Sequence, residues 1–278
     1  MTTFRVHADR PVRLVAAGDE TMVVKRYVAG GAAAIYTEMC DLWASPFGER
    51  RRPPGMPAPL GLDPVQQEIQ MQWLDGDPIG TRGGLGRSVE LLPEVARLLA
   101  DLHGSGVTVP RRRDAAALIR SGRRKVEELG SSAGVLRLGR LVIDALDGAR
   151  PQAGPLVVSH GDFSPRNVLL TASGLALIDF DRLQMSAPER DISYWGAWTW
   201  VTLLISGERP DWRVADDLAA HYRRLRTGLA DDSSSWAFYR AVALLRIAHG
   251  WSALQSAPEI CAEVLAEALN QLHGRPMV

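Results

Sequence analysis

The segment Ser159–Arg182, SHGDFSPRNVLLTASGLALIDFDR, restricts this chain more than any other part of it. Two short apolar runs, Val168-Leu169-Leu170 and Leu175-Ala176-Leu177-Ile178, flank the turn signal Ser173-Gly174. That order reads as loop, strand, turn, strand. Asp162 and Asn167 precede the first strand and Asp179 closes the second, so a hairpin carries two carboxylates and one amide oxygen toward a common point. Such an all-oxygen set suits Mg²⁺, which takes one or two carboxylates and leaves room for substrate phosphates.

The spacing is specific. The chain has nineteen Asp, six His and two Asn, Asn167 and Asn270. A His two positions before an Asp that is followed five positions later by an Asn arises by chance in roughly 0.003 places at this composition. The competing interpretation is a polar loop whose His and Asp cap turns. It needs that coincidence, and then a second strand ending in Ile178-Asp179-Phe180.

His160-Gly161-Asp162, Asn167 and Ile178-Asp179-Phe180 resemble the catalytic loop and metal-binding Asp of kinases. In this form they most closely resemble the aminoglycoside phosphotransferase and choline kinase group, which uses a protein-kinase-like fold on small molecules. The resemblance implies an α+β, two-lobed fold. Residues 1–75 would form a small antiparallel β-sheet lobe with one helix that binds nucleotide. Residues 76–278 would form a larger, mainly helical lobe for catalysis and acceptor binding. The implied activity moves the γ-phosphate of ATP, or GTP, to a hydroxyl of a small molecule, antibiotics included. Asp162 would accept or orient the hydroxyl proton, and Asn167 and Asp179 would hold Mg²⁺. Asp191 would hold the backbone of the catalytic loop. Asp181 stands where protein kinases have Gly and is expected to pair with Arg182. Arg166 replaces the usual Gly before Asn and would meet a phosphate or an acidic acceptor.

Upstream, Val12–Ala16 and Thr21–Tyr27 read as strands joined by the turn Ala17-Gly18-Asp19-Glu20. The chain writes thirty of its basic residues as Arg and only Lys25 and Lys125 as Lys. Ammonium and guanidinium differ in size and geometry, so a retained Lys invites a chemical reason. Ala32–Trp43 reads as a helix carrying Glu38. The kinase resemblance makes Lys25 the contact to the α- and β-phosphates, held by an ion pair with Glu38. Pro57–Leu62 and Glu68–Leu74 read as two more strands. The second alternates Ile69, Met71 and Trp73 on one face. By resemblance, Met71, Gln72, Trp73 and Leu74 would line an adenine pocket, and Leu74–Pro78 would link the lobes. One departure stands out. The segment Ala8–Arg13, where kinases lay a Gly-rich loop over the phosphates, has no glycine.

Downstream, Val89–His103 repeats its leucines at helical spacing, and His103 is expected to cap its end. Asp114–Leu129 and Ala133–Leu146 read as helices before the strand Leu156–Val158. After the central segment come helices beginning at Pro188 and spanning Asp211–Leu225, Ser235–Ser252 and Pro258–His273. Most of their Trp residues are expected in the core. Glu189, Asp216, Asp217, Asp231 and Asp232 are candidates for holding a cationic acceptor.

Several classes are excluded. Formal net charge is zero, which gives no electrostatic case for nucleic acid. Nothing is long and apolar enough for a membrane span, and no obligate protein partner is implied. Cys40 and Cys261 make no disulfide framework, which fits a reducing cytoplasm. Only nine residues separate Asp179 from Glu189, too few for a protein-kinase activation segment. Two alternatives stay open: a non-catalytic nucleotide-binding relative, motivated by the missing glycines, and a metabolic kinase of choline, amino-sugar or homoserine type.

Overall fold

The structure, a computed structural model, describes residues 3–4, 11–17, 20–81, 84–129, 132–253 and 258–274. The strands β1 (Thr3–Phe4), β2 (Val12–Ala17) and β3 (Glu20–Arg26) lead to helix α1 (Ala32–Trp43), then to β4 (Pro59–Asp63) and β5 (Glu68–Gln72). The five strands form one antiparallel sheet in the order β1-β2-β3-β5-β4. Lys25 lies in the central strand, opposite Val12 on one side and Ile69 on the other. Helix α1 buries Ile35, Met39 and Leu42, spaced to share one face, and packs that face on β4 and β5. The glycine-free segment falls largely outside the described residues, because residues 5–10 are not among them, and so does the centre of the β2–β3 turn, residues 18–19.

The rest is mainly helical. Strand β6 (Gly76–Pro78) precedes α2 (Leu92–His103), α3 (Ala115–Glu127) and α4 (Ala133–Gly148). Strand β7 (Val157–Ser159) enters the catalytic loop, which ends in a 3-10 turn (Pro165–Asn167) and the hairpin β8 (Val168–Thr171) and β9 (Gly174–Leu177). Strand β10 (Gln184–Ser186) and helices α5 (Glu189–Ile205), α6 (Arg213–Arg223), α7 (Ser233–Ala253) and α8 (Pro258–His273) complete the chain.

Two pairings correct the expectation from sequence. The expected Leu74–Pro78 linker contains strand β6, which pairs with β8 and widens the hairpin to three strands. Strand β10, unforeseen, pairs antiparallel with β7. Each new strand is three residues long, too short for alternation to mark it. Strand β10 brings the two ends of the Ser159–Arg182 segment together through β7, and β6 braces its middle through β8. Helix α2 also starts later than its leucine pattern, at Leu92, with Pro93 in its first turn, where a missing N–H removes no helical bond.

Helix α5 explains why the two apolar clusters cohere. It is buried nearly all round over its first three turns, as expected of a helix packed on every side. Ile192 and Trp195 belong to the cluster built from the sheet, α1, α2 and the catalytic hairpin. Ala197, Trp198, Trp200 and Val201 belong to the one built from α3, α4, α7 and α8. Among the described residues, no helix is long and apolar enough to cross a membrane.

Gly196 allows α5 to approach α6. A Cβ at that position would stand 2.5 Å from Ala215 Cβ and 3.0 Å from the Trp212 ring. In a free helix, Gly→Ala gains about 1 kcal/mol, whereas overpacking a core costs about 1–3 kcal/mol. Gly196→Ala is therefore expected to lower Tm in thermal melts; a rise in Tm would show that the helices have room to spare.

Candidate active site

The catalytic loop is fixed from beneath by one carboxylate. Asp191, in the first turn of α5, is fully buried and accepts the backbone N–H groups of His160 at 2.8 Å and Gly161 at 3.0 Å. His103 Nε2 lies 3.2 Å from its Oδ2, and His103 Nδ1 lies 2.8 Å from the Tyr222 hydroxyl. His103 is thus no helix cap. It is a buried strut under the loop, which its position at a helix end concealed. Burial alone would raise the Asp191 carboxyl, but the His103 hydrogen bond and the charges around it lower it to about 2.

Gly161 turns at φ +75°, and a Cβ there would meet Arg182 O at 2.4 Å. Glycine is thus required where the loop bends against β10. The next residue, Asp162, is buried. Asn167 donates Nδ2 to the Asp162 carbonyl at 2.8 Å, which ties the end of the loop back to its centre. Arg246 of α7 donates Nη2 to Asp162 Oδ1 at 2.8 Å and also bonds the Gly161 carbonyl. Arg166 Nη2 stands 3.5 Å from Asp162 Oδ2, its guanidinium 4.6 Å from the Trp198 ring centre. Burial pushes the Asp162 carboxyl up, but Arg246, Arg166 and Arg182 outweigh it and hold the group well below the usual carboxylate range.

Asp179 follows β9 with φ 70°, a left-handed backbone that non-glycine residues rarely adopt. Lys25 reaches from the sheet to Asp179 Oδ1 at 2.5 Å and to Asp181 Oδ2 at 2.6 Å. Burial would lower the Lys25 ammonium, but Asp179 and Asp181 raise it, so it stays charged. The Tyr27 hydroxyl donates to Asp181 Oδ1 at 2.6 Å. Asp181 is therefore engaged by the sheet, through Lys25 and Tyr27, where sequence pointed to Arg182.

The expected Lys25–Glu38 ion pair is not formed. Glu38 Oε2 is buried without a hydrogen-bond partner, and burial pushes its carboxyl up against the pull of Arg111. Two carboxylates adjacent in sequence to the hairpin compete better for Lys25 than one on α1. Met71 and Leu74 are half-buried while Gln72 and Trp73 are exposed at the end of β5, and Gln72 Oε1 accepts from Ala58 N at 3.3 Å.

The acids expected to hold a cationic acceptor are otherwise occupied or exposed. Glu189 is buried and bonds Ala230 N. Asp216 pairs with Arg240, and Asp232 caps the start of α7 through Ser235 N at 2.7 Å. Asp217 and Asp231 are exposed. Arg246 is the functional candidate that sequence reasoning missed. Its one signal was an Arg inside the apolar run of a buried helix.

The donor set fits Mg²⁺. Among the described residues no three His, Cys, Asp or Glu side chains gather as a metal cage. With Nδ2 committed to Asp162, Asn167 keeps an amide oxygen, and Asp179 keeps its second carboxylate oxygen beyond Lys25. That leaves the partial shell Mg²⁺ uses alongside phosphates.

Comparison with known proteins agrees with this geometry. The family model described as APH, phosphotransferase enzyme family, matches residues 2–231, so the chain belongs to that family and is a small-molecule phosphotransferase. No curated protein matches the chain by sequence. Among solved structures, choline kinase LicA from Streptococcus pneumoniae is similar at 12% identity, covering 99% of this chain and 94% of that one with a TM-score of 0.66. Aminoglycoside-3′-phosphotransferase of type VIII is similar at 20% identity, covering 87% and 92% with a TM-score of 0.62. Spectinomycin phosphotransferase in complex with ADP and spectinomycin is similar at 12% identity, covering 98% and 92% with a TM-score of 0.59. At these identities the likeness is one of fold, protein-kinase-like with a small antiparallel sheet and a helical part.

Asp191 makes an acid-stability prediction. Its folded carboxyl titrates near 2, below the ordinary 3.8, so the unfolded chain takes up this proton first as pH falls. The stabilisation is complete above about pH 4 and is lost toward about pH 2, roughly 2 kcal/mol in size. Urea unfolding midpoints should fall across that window in the wild type. Asp191→Asn should be less stable at neutral pH and show a flatter acid arm; an unchanged arm would show that Asp191 is not the titrating group.

Proposed function

We propose that the chain transfers the γ-phosphoryl group of ATP to a hydroxyl of a small molecule. The observation that carries this reading is the convergence of Asp162, Asn167, Asp179 and Lys25 on one clamped loop and hairpin. ADP in the similar spectinomycin phosphotransferase supports an adenine nucleotide as donor. Antibiotics and small metabolites are both acceptor classes named among the similar structures. Residues 1–75 serve as the nucleotide-binding part, with Met71–Leu74 beside adenine. Free Cys40 and Cys261 suit a reducing, cytoplasmic setting.

Phosphoryl transfer asks for positioning and charge stabilisation more than covalent work. Asn167 and Asp179 would hold Mg²⁺, which would supply positive charge to the phosphates. Lys25 supplies the second positive charge from the sheet. Asp162 orients the hydroxyl through its carboxylate and takes its proton as the acceptor oxygen becomes acidic in a loose transition state. Arg246 and Arg166 hold that carboxylate ionised and in place.

Mg²⁺-dependent ATP turnover against a panel of hydroxyl acceptors tests the reading. Asp162→Asn should lower kcat about 10²- to 10⁴-fold with little change in KM for ATP, because its interaction belongs to the transition state. Lys25→Met should instead raise KM for ATP. ATP binding without transfer to any acceptor, unaffected by Asp162→Asn, would sink the proposal.

A further inference from the structure

Beside the catalytic loop lies a cavity of about 90 Å³ with a one-sided charge. Arg111, Arg113, Lys125, Arg182, Arg190 and Arg246 line it, and no Asp or Glu is among the described residues that do. Gly161 forms part of the wall, one residue from Asp162, while Leu118 and Leu245 supply an apolar side. No described lining residue precedes Arg111 in the chain, so the cavity owes nothing to the five-stranded sheet.

The protein satisfies these cations only in part. Arg246 is paired with Asp162 at 2.8 Å. Arg111 donates to the Asp181 backbone carbonyl at 3.1 Å. Lys125 Nζ has a neutral acceptor, Ser121 Oγ, at 3.3 Å. Among the described residues, no carboxylate stands within ion-pair distance of Arg113, Lys125 or Arg190. Arg190 Nε is buried without a hydrogen-bond partner. Burial, then Arg246, Arg182 and Arg113, push the Lys125 ammonium down to about 8; Glu128 opposes them, itself bonded to His249 at 2.8 Å. Burial and then Arg246 lower the Arg190 guanidinium to about 10, against the pull of Asp191. Buried like charges cost free energy unless something of opposite sign joins them. Arg–oxyanion pairs are the strong, charge-assisted kind.

We propose that the acceptor is itself an anion: a small hydroxylated molecule whose carboxylate or phosphate sits among Arg113, Lys125 and Arg190 while its hydroxyl meets Asp162. This rests on the phosphotransferase reading above and narrows its acceptor. The new bond joins the acceptor oxygen to the γ-phosphorus as the bond from that phosphorus to the β,γ-bridging oxygen breaks. The hydroxyl proton passes to Asp162 and then to solvent. The products are a phosphomonoester that retains its anionic group, and ADP. Cationic acceptors such as choline or an aminoglycoside meet six like charges here, with no acid in the described wall to answer them.

The full-length protein, saturated with ADP and Mg²⁺, is titrated calorimetrically with D-glycerate and inorganic sulfate, and in parallel with neutral glyceramide and with choline. Sulfate and glycerate should bind, glyceramide should bind at least about tenfold more weakly, and choline should give no signal. Lys125→Met and Arg113→Gln, made singly and verified by circular dichroism, should each weaken anion binding about tenfold and leave ADP affinity unchanged. Absence of anion binding overturns the proposal. So does preferred phosphorylation of choline or an aminoglycoside, which leaves the phosphotransferase reading standing. Variants that weaken ADP and spare the anions also overturn it, by assigning these cations to the nucleotide's phosphates. Anion binding at these residues with no transfer from ATP to any hydroxyl is the opposite failure: it removes the phosphotransferase reading and keeps the anion site.

Discussion

The buried carboxylate of Asp191 is the interaction on which the site depends. Two successive backbone N–H groups, of His160 and Gly161, find no partner in a strand because the chain leaves β7 there. Asp191 accepts both, and its own charge is stabilised by His103 and, through space, by Arg190. Leaving either side unpaired in a water-free setting would cost several kcal/mol. These bonds hold the loop where Gly161 makes its left-handed bend ahead of Asp162. Because Asp191 begins α5, and α5 joins both apolar clusters, the loop's position is set by the core of the whole molecule. A displacement of α5 would reach the loop through two hydrogen bonds.

Charge is sorted around this loop, although the chain as a whole carries none. On the sheet side, the acids Asp179 and Asp181 share Lys25. On the side of α3 and α7, guanidinium and ammonium groups line a cavity whose described wall holds no acid. Asp162 lies between the two fields. Burial raises both carboxyls; Lys25 outweighs it at Asp179, where Asp162 opposes, and Arg246 leads the groups that outweigh it at Asp162. A net-charge count averages these opposed fields to zero. It conceals a strongly basic pocket.

The legible part of the fold was what short-range pattern records. The helix spacing of α1, α3, α4 and α8, the hairpin of β8 and β9, and the order of Asp162, Asn167, Asp179 and Asp191 are all local in sequence. Strands β6 and β10 were not legible, since three residues carry no period and their stability comes from partners ninety and twenty-odd positions away. Lys25's partner was misjudged for a related reason: the choice between Glu38 and the Asp179–Asp181 pair depends on distances across the fold. Arg246 and the cations around it come from three helices and two loops separated by more than a hundred residues. Taken one at a time, each is an ordinary Arg in an Arg-rich chain.

The double pairing of Lys25 bears on how a chain without the usual glycines handles phosphates. An ammonium that bridges Asp179 and Asp181 at 2.5 and 2.6 Å is already oriented at the junction of sheet and hairpin. On the proposed function, a nucleotide would have to draw Lys25 from this pair toward its phosphates. Much of the ordering that a flexible glycine loop must undergo on binding has then been completed on folding, because Lys25 is fixed in the centre of a five-stranded sheet. Asp181, at a position where protein kinases have Gly, supplies the second anchor that makes this possible. On that reading, the phosphates would compete with two carboxylates for Lys25, and a cation held by Asp179 would weaken one side of that competition. Nucleotide and metal binding would then be coupled through Asp179.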